Sequence, residues 1–225
     1  ESPVKDSIVV NDRWANNTGR KHGDYYTREY SNTNSTYNKP WEECRGIGFS
    51  FGFNQNEDLE DYTLPQALVL TLVNVVSQGG NLLLGIGPNA NGKIPPIMQE
   101  RLLQIGDWLR VNGEAIYGTR MWKQSFQWSK GNREWKPKGK HYVLSLIQTI
   151  HPEPGYAVKE VFFTKKGNDV YAILPQYPKP TVILKGIKVT NKTRISMLGL
   201  DKKIVWKQKG EDIVITVPSL YYDEM

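Results

Sequence analysis

A chain of 225 residues can form one large or two modest domains with real cores, and 39% hydrophobic against 23% charged residues is an ordinary globular composition, not a disordered one. No apolar run approaches the roughly 20 residues that span a bilayer, so the sequence excludes a transmembrane helix. The net charge of +6 is spread out, with mild runs from Lys136 to Lys140 and from Lys202 to Lys209 that read as solvated faces; no Arg-rich helix or RNA-binding motif accompanies them, which argues against nucleic acid as a partner.

The chain opens at Glu1 without a signal-like segment, so any targeting peptide is expected to have been removed or never present. IVVNDRW, residues 8–14, begins on β-branched residues and ends in a dense polar cluster. Three consecutive apolar positions leave no solvent face, as in a parallel strand covered on both sides. Ligands bind at the carboxyl ends of such strands, which is where Asn11, Asp12, Arg13 and Trp14 would stand. A long polar loop is expected from Ala15 to Lys39, and then a short apolar segment, GIGFSFGFN, ending in Asn54.

DYTLPQALVLTLVNVVSQGG reads as a helix, with Thr63 as cap, Gln66 three residues on, Pro65 in the first turn and Gly79-Gly80 as terminator. NLLLGIGP reads as a buried strand, and Asn89-Ala90-Asn91-Gly92 as a turn. A second helix is expected from about Pro96 to Val111, stopped by Asn112-Gly113, with Leu102, Leu103, Ile105, Trp108 and Leu109 as its core face. This alternation of strand and helix predicts a parallel sheet.

From Trp122 the pattern changes. HYVLSLIQTI, AVKEVFFT, NDVYAILPQ, PTVILKGI, ISMLGL, KIVWKQ and DIVITVP are short strands between turn residues, which predicts an antiparallel sandwich. The boundary is expected near Tyr117 to Met121, giving domains over 1–120 and 121–225.

Cys44, alone of its kind, has no internal disulfide partner and no metal-ligand companions. Sequons at Asn16, Asn34 and Asn191 would permit glycosylation in a secreted eukaryotic protein, although three in an Asn-rich chain are near chance. The Gly79-Gly80-Asn81 and Gly85-Ile86-Gly87 stretches lack the order and lysine of a phosphate loop. Retaining sugar hydrolysis needs two carboxyl groups about 5 Å apart, with cations and aromatics to fix the hydroxyls and the apolar ring face. The first half offers Arg13, Glu29, Glu42 and Phe51. Each also has a plain structural reading: Arg13 as ion-pair partner of Asp12, Glu29 as a solvated loop residue, Glu42 as a local cap or pair, Phe51 and Phe53 as core.

SPVKDSIVVNDRW, HGDYYTREY, KPWEECRGIGFSFGFN, VSQGGNLLLGIGPNANGKI and RLLQIGDWLRVNGEAIYGT, in unbroken order through residues 2 to about 119, together resemble the α-L-fucosidases of glycoside hydrolase family 29. AVKEVFFTKKGNDVYAI extends the likeness more loosely. The resemblance implies a mixed α/β fold, a partial (β/α)8-like barrel followed by an antiparallel β-sandwich, and exo-hydrolysis of terminal α-L-fucose with retention. It implies that Arg13 contacts the fucose and the neighbouring nucleophile, and that Phe51 packs against the sugar's apolar side. For the acid/base it favours Glu29 in TREY, with Glu42 in PWEEC as the alternative.

The family's nucleophile is an aspartate in a Trp-x-Asp-Gly type segment, and this chain contains no such segment. The histidines that grip the fucose lie upstream in the family, and His22, His141 and His151 do not replace them. Gly85 stands where the family usually has Asn, and Ala15 where it has Gly. The chain therefore reads as the C-terminal portion of a fucosidase, stopping short of the last sandwich strand. No metal or cofactor is implied. The expected partners are a fucosylated glycan and either the missing N-terminal half of the barrel or another copy of the chain. The setting is secreted, periplasmic or lysosomal. The competing reading is a non-catalytic carbohydrate-binding or structural fragment.

Overall fold

A computed structural model describes residues 4, 6–13, 23–30, 39–136 and 148–219 of the chain. They group into two compact units, one drawn from residues 4–106 and the other from residues 107–136 and 148–219.

The first unit is built on a parallel sheet in the order β1-β2-β3, with β1 Tyr26–Glu29, β2 Trp41–Gly46 and β3 Gly80–Gly85. Tyr26 pairs with Trp41, and Trp41 in turn with Gly80. Helix α1, Pro65–Ser77, links β2 to β3 and covers one face of the sheet, where Tyr26, Trp41, Leu82 and Val75 cluster. Gly80 makes this possible: a Cβ there would lie 2.5 Å from the Trp41 ring. The Trp41 indole N–H donates to the Gln78 carbonyl at 3.1 Å, closing the end of α1 against the sheet.

Several sequence expectations are corrected here. Residues 8–10 form no strand; the chain runs parallel beside β1, joined by a single bridge between Asn11 and Tyr25 and by Asp24 N–H donating to Val10 O at 2.7 Å. Val9 is 72% exposed, because nothing among the described residues covers it. The expected polar loop contains β1, whose Tyr and Thr gain a pairing partner in β2 that local composition does not reveal. The strand before GIGFSFGFN lies upstream, in WEECRG, and residues 47–52 bend away from its carboxyl end.

Thr63 does not cap α1. Proline at the first helical position forces its predecessor into extended backbone, so Leu64 is the N-cap at φ −61°, ψ 146°, without a side-chain cap. Thr63 N–H instead donates to Ile47 O, and its carbonyl accepts from Arg101 Nε. The helix stops at Gln78, followed by Gly79 at φ 78°, in keeping with the predicted terminator. The strand β3 is half-buried, with Leu83 51% exposed. The turn at Asn89 forms, Gly92 N–H donating to Asn89 O at 2.9 Å.

Helix α2 spans Pro96–Asn112, one residue beyond the expected end. Its fully buried contact is Met98, packed with Ile47, Tyr62 and Leu68, while Leu102 and Ile105 are only partly buried and Leu103 is exposed. The apolar spacing was right for a helix and overstated its burial, because the helix has one packed stripe rather than a broad face.

The second unit contains two antiparallel sheets: β4 Arg120–Trp128, β5 Lys159–Lys166 and β6 Asp169–Ile173 in that order, and β7 Thr181–Leu184, β9 Asp212–Thr216 and β8 Val205–Lys209 in the order β7-β9-β8. Val161 and Phe163 of the first sheet share one core with Val182, Leu184 and Ile213 of the second. Two-residue turns with glycine first, Gly167 at φ 58° and Gly210 at φ 61°, close the β5–β6 and β8–β9 hairpins. Sequence reading missed β4, whose Lys, Gln and Ser interrupt its apolar alternation. It also made a strand of ISMLGL, which is a turn closed by Met197 and Leu200. Of HYVLSLIQTI, residues 148–150 are helical and 141–147 lie outside the described residues. The Gly113–Ala115 turn packs with this unit, Thr164 Oγ1 donating to Ala115 O at 2.7 Å.

Candidate active site

Side chains alternate across a strand, so the register sorts them by face. Thr27 and Glu29 of β1 stand opposite Glu42 and Cys44 of β2, which stand opposite Asn81 and Leu83 of β3. This is the face that α1 does not cover. The other face carries Glu43 and Arg45, an ion pair at 2.5 Å whose side chains are 0% and 4% exposed. Two opposite charges two residues apart on one strand are a sequence signal for a same-face pair, and sequence reading passed over it.

On the open face, Arg13 Nη1 donates to Glu29 Oε1 and Arg13 Nε donates to Thr27 Oγ1. Both partners of the ion pair have half-exposed side chains, 45% each. The expected Arg13–Asp12 pairing is overturned. Asp12 is buried and accepts instead from Thr27, from the backbone N–H at 2.9 Å and from the hydroxyl at 2.8 Å. Beside the pair an open depression of about 440 Å³ is lined by Val9, Val10, Asn11, Arg13 and Tyr25.

Tyr30 follows Glu29 with φ 46°, a left-handed conformation unusual for a bulky residue. Its hydroxyl accepts from Gly46 N–H at 2.9 Å, and its ring meets Phe51 edge-on at 4.9 Å between centroids. Burial raises the phenol above its ordinary value; the Gly46 N–H and the Arg45 cation pull the other way, and Glu57 adds to the rise. Phe51 and Phe53 are not core residues: they are 43% and 44% exposed, on a loop past β2. Glu57 ties that loop, accepting from Ser50 N–H at 2.8 Å. Two glycines let it pack closely. A Cβ on Gly87 would sit 1.9 Å from Phe53 N, and one on Gly46 would sit 2.0 Å from Ser50 O.

Glu42 shares the face but pairs with Thr27, two positions back from the Glu29–Cys44 pair toward the amino ends of the strands. Burial, and after it the carboxylates of Glu42 and Glu29, push the Cys44 thiol up; Arg13 opposes them. So Arg13 and Glu29 meet at the carboxyl end of β1 and Phe51 lies on the loop past the carboxyl end of β2, with Glu42 deeper along the face. Sequence reading placed Asp12 in the polar cluster but with the wrong partner, and it missed Thr27, Tyr30 and Glu57. The TREY string held Thr27 and Tyr30, while Glu57 carried no local signal. Trp14, Ala15, His22, His141 and the sequons at Asn16 and Asn34 lie outside the described residues; His151 is exposed, and Asn191 lies in an exposed turn. Among the described residues no group of three or more His, Cys, Asp or Glu is arranged to hold a metal.

Residues 1–114 match the family model for α-L-fucosidase, and residues 156–225 match that for the α-L-fucosidase C-terminal domain. The chain belongs to the α-L-fucosidase family. It is 37% identical to the human tissue α-L-fucosidase over 224 residues, covering 98% of this chain and 42% of that protein. It is 36% identical to the rat plasma α-L-fucosidase, covering all of this chain and 44% of the relative. The fold is similar to a crystal structure of a Thermotoga maritima α-fucosidase in complex with a mechanism-based inhibitor, with a TM-score of 0.69 and 35% identity over 93% of this chain and 41% of that one. The chain thus spans about 42% of the length of the curated fucosidases it matches. Among the described residues no helix is long and apolar enough to cross a membrane.

Proposed function

We propose that this chain carries the acid/base side of a retaining exo-glycosidase that releases terminal α-L-fucose. In this reading residues 1–120 are the C-terminal half of a (β/α)8-like barrel and residues 121–225 a β-sandwich. The parallel run of residues 8–11, β1, β2 and β3, with α1 over one face only, supports the half-barrel: the face it leaves open is the one that would line a barrel interior.

The observation that carries the proposal is the Arg13–Glu29 pair at the carboxyl ends of these strands, with the Tyr30–Phe51 aromatic pair adjoining Glu29 in the chain. Ligands of parallel α/β sheets bind at that end. Glu29 protonates the leaving oxygen and then activates water; Arg13 offers positive charge to the sugar and to a nucleophile carried elsewhere in the protein; Phe51 offers an apolar ring to the sugar. Glu42 faces the same space but stands further from the strand ends, which favours Glu29 for the acid/base. No cofactor takes part. The partners are a fucosylated glycan and the remaining half of the barrel, or a second copy in its stead, in a secreted, periplasmic or lysosomal setting.

The test uses the complete enzyme, including the upstream aspartate. Glu29→Ala slows substrates with poor leaving groups roughly 10²- to 10⁴-fold, and azide restores turnover of activated aryl fucosides, because these need no proton. Glu42→Ala shows a modest loss without rescue, and Arg13→Ala weakens binding and slows both steps without rescue. Azide rescue of Glu42→Ala and not of Glu29→Ala reverses the assignment. The 225-residue chain alone releases no nitrophenol from an aryl α-L-fucoside, since one carboxyl group cannot form a glycosyl-enzyme; turnover by it returns the whole reading to open question.

A further inference from the structure

We infer that Thr27, anchored by buried Asp12, is a positioning residue that sets the plane of the Arg13 guanidinium and through it the Glu29 carboxyl group. The inference rests on the functional reading above and names a control on the same site.

The direction of each hydrogen bond follows from chemistry. Arginine Nε carries a proton and no lone pair to offer, so in its contact with Thr27 Oγ1 it must be the donor. The hydroxyl must then spend its single proton elsewhere, and the carboxylate oxygen of Asp12 at 2.8 Å takes it. The same oxygen accepts the Thr27 backbone N–H at 2.9 Å, so Asp12 grips Thr27 at two atoms. The chain of donation runs one way only, from Arg13 Nε to Thr27 to Asp12, and turning the hydroxyl round would leave a donor facing a donor at Arg13 and an acceptor facing an acceptor at Asp12.

Geometry fixes the rest. Residues 8–11 run parallel to β1 with Asn11 bridged to Tyr25, so two residues further on Arg13 stands beside Thr27. Thr27 and Glu29 lie on the same face of β1, roughly 7 Å apart along the strand. Arg13 spans them with Nε on Thr27 and Nη1 on Glu29. A guanidinium is planar, so fixing Nε fixes where Nη1 points. Arg13 and Glu29 are half-exposed and would otherwise adopt many rotamers, whereas Asp12 is buried. Order is thus transmitted from a buried carboxylate to two exposed charged groups through one hydroxyl.

The test compares Thr27→Val, which removes the hydroxyl at nearly constant shape, with Thr27→Ser, which keeps it. In the complete enzyme Thr27→Val lowers kcat/KM on aryl α-L-fucosides by roughly 10- to 100-fold, azide does not restore it, and Thr27→Ser retains most of the activity. The second readout is independent of turnover. In arginine-labelled protein the Arg13 Nε–H resonance, assigned by its disappearance in Arg13→Lys, exchanges slowly with water in the parent and in Thr27→Ser, and at least tenfold faster in Thr27→Val. Should Thr27→Val not fold, Thr27→Ala carries the same comparison. Unchanged exchange and unchanged kinetics in the hydroxyl-free variant overturn the inference, as does a serine variant as impaired as the valine one. Absence of fucosidase turnover in the parent enzyme would instead sink the functional reading, with the exchange measurement still deciding the role of Thr27.

Discussion

The two units handle burial in opposite ways. The antiparallel unit closes on itself: Phe163 and Val161 from one sheet meet Leu184 and Ile213 from the other, and all four are buried. The parallel unit buries only the face under α1, and on that face it buries charge, Glu43 with Arg45. Its other face shows Leu83, Val9 and the Arg13–Glu29 pair to solvent. The difference separates a unit with a closed core from a sheet with one face that nothing among the described residues covers.

The largest expected effect tests the closed core. Phe163→Ala lowers the stability of the antiparallel unit by about 4 kcal/mol, read from denaturant unfolding, because a fully buried ring leaves a cavity that two sheets cannot collapse to fill. Next is the buried ion pair. Glu43→Gln takes the countercharge at 2.5 Å away from a buried Arg45 and costs about 3 kcal/mol, whereas replacing the pair together, Glu43→Met with Arg45→Leu, is near neutral. A single replacement as mild as the double one would mean that the parallel unit admits water where it looks sealed.

A third effect depends on pH. Lys159 is 8% exposed, and burial lowers its amine to about 8, against the cation–π attraction of Phe126 at 4.2 Å. Between pH about 8 and the ordinary lysine value the unfolded chain holds the proton that the folded chain has lost. The unfolded state therefore binds more protons, and stability rises with pH across that window, by something on the order of 2 kcal/mol. Tyr171 acts in the opposite sense: burial, followed by its hydrogen bond to Glu114, pushes the phenol up to about 12, so above pH 10 the unfolded chain ionises first and stability falls. Thermal unfolding followed from pH 7 to 11 should show a rise and then a decline, and Lys159→Met should abolish the rise alone.

The smallest effect is the most diagnostic. In the 225-residue chain Leu83→Ala changes stability by less than about 0.5 kcal/mol, since Leu83 is already half in water. In the complete protein the same change costs several times more if the open face is covered there. Equal costs in both settings would erase the contrast between the units.

What the sequence revealed tracks the range of the forces involved. Both long helices, the glycine stops and five of the antiparallel strands were legible, because periodicity and turn chemistry are local. The strand β1 was not: YTRE has no apolar run, and it becomes a strand only through β2. Conversely, IVV read as a buried strand from composition alone, whereas residues 8–10 form no strand and Ile8 and Val9 are exposed. Arg13, Glu29 and Phe51 were picked out by their family motif; the structure pairs Arg13 with Glu29 at the end of β1 and carries Phe51 on the loop past β2. The contacts of their supports were not legible, because Asp12 and Thr27, like Tyr30 and Gly46, lie 15 or 16 residues apart in the chain.

The glycines behind the Phe51 loop impose a rule on anyone wishing to retune this rim. The ring at Phe53 tolerates change best, since its side chain is 44% exposed. The floor does not tolerate it. With the loop backbone so close that a Cβ on Gly87 would fall 1.9 Å from Phe53 N, even an alanine there must push the main chain outward by more than an ångström. Such a protein would keep the Arg13–Glu29 pair in place and still carry the Phe51 and Phe53 rings in a shifted position.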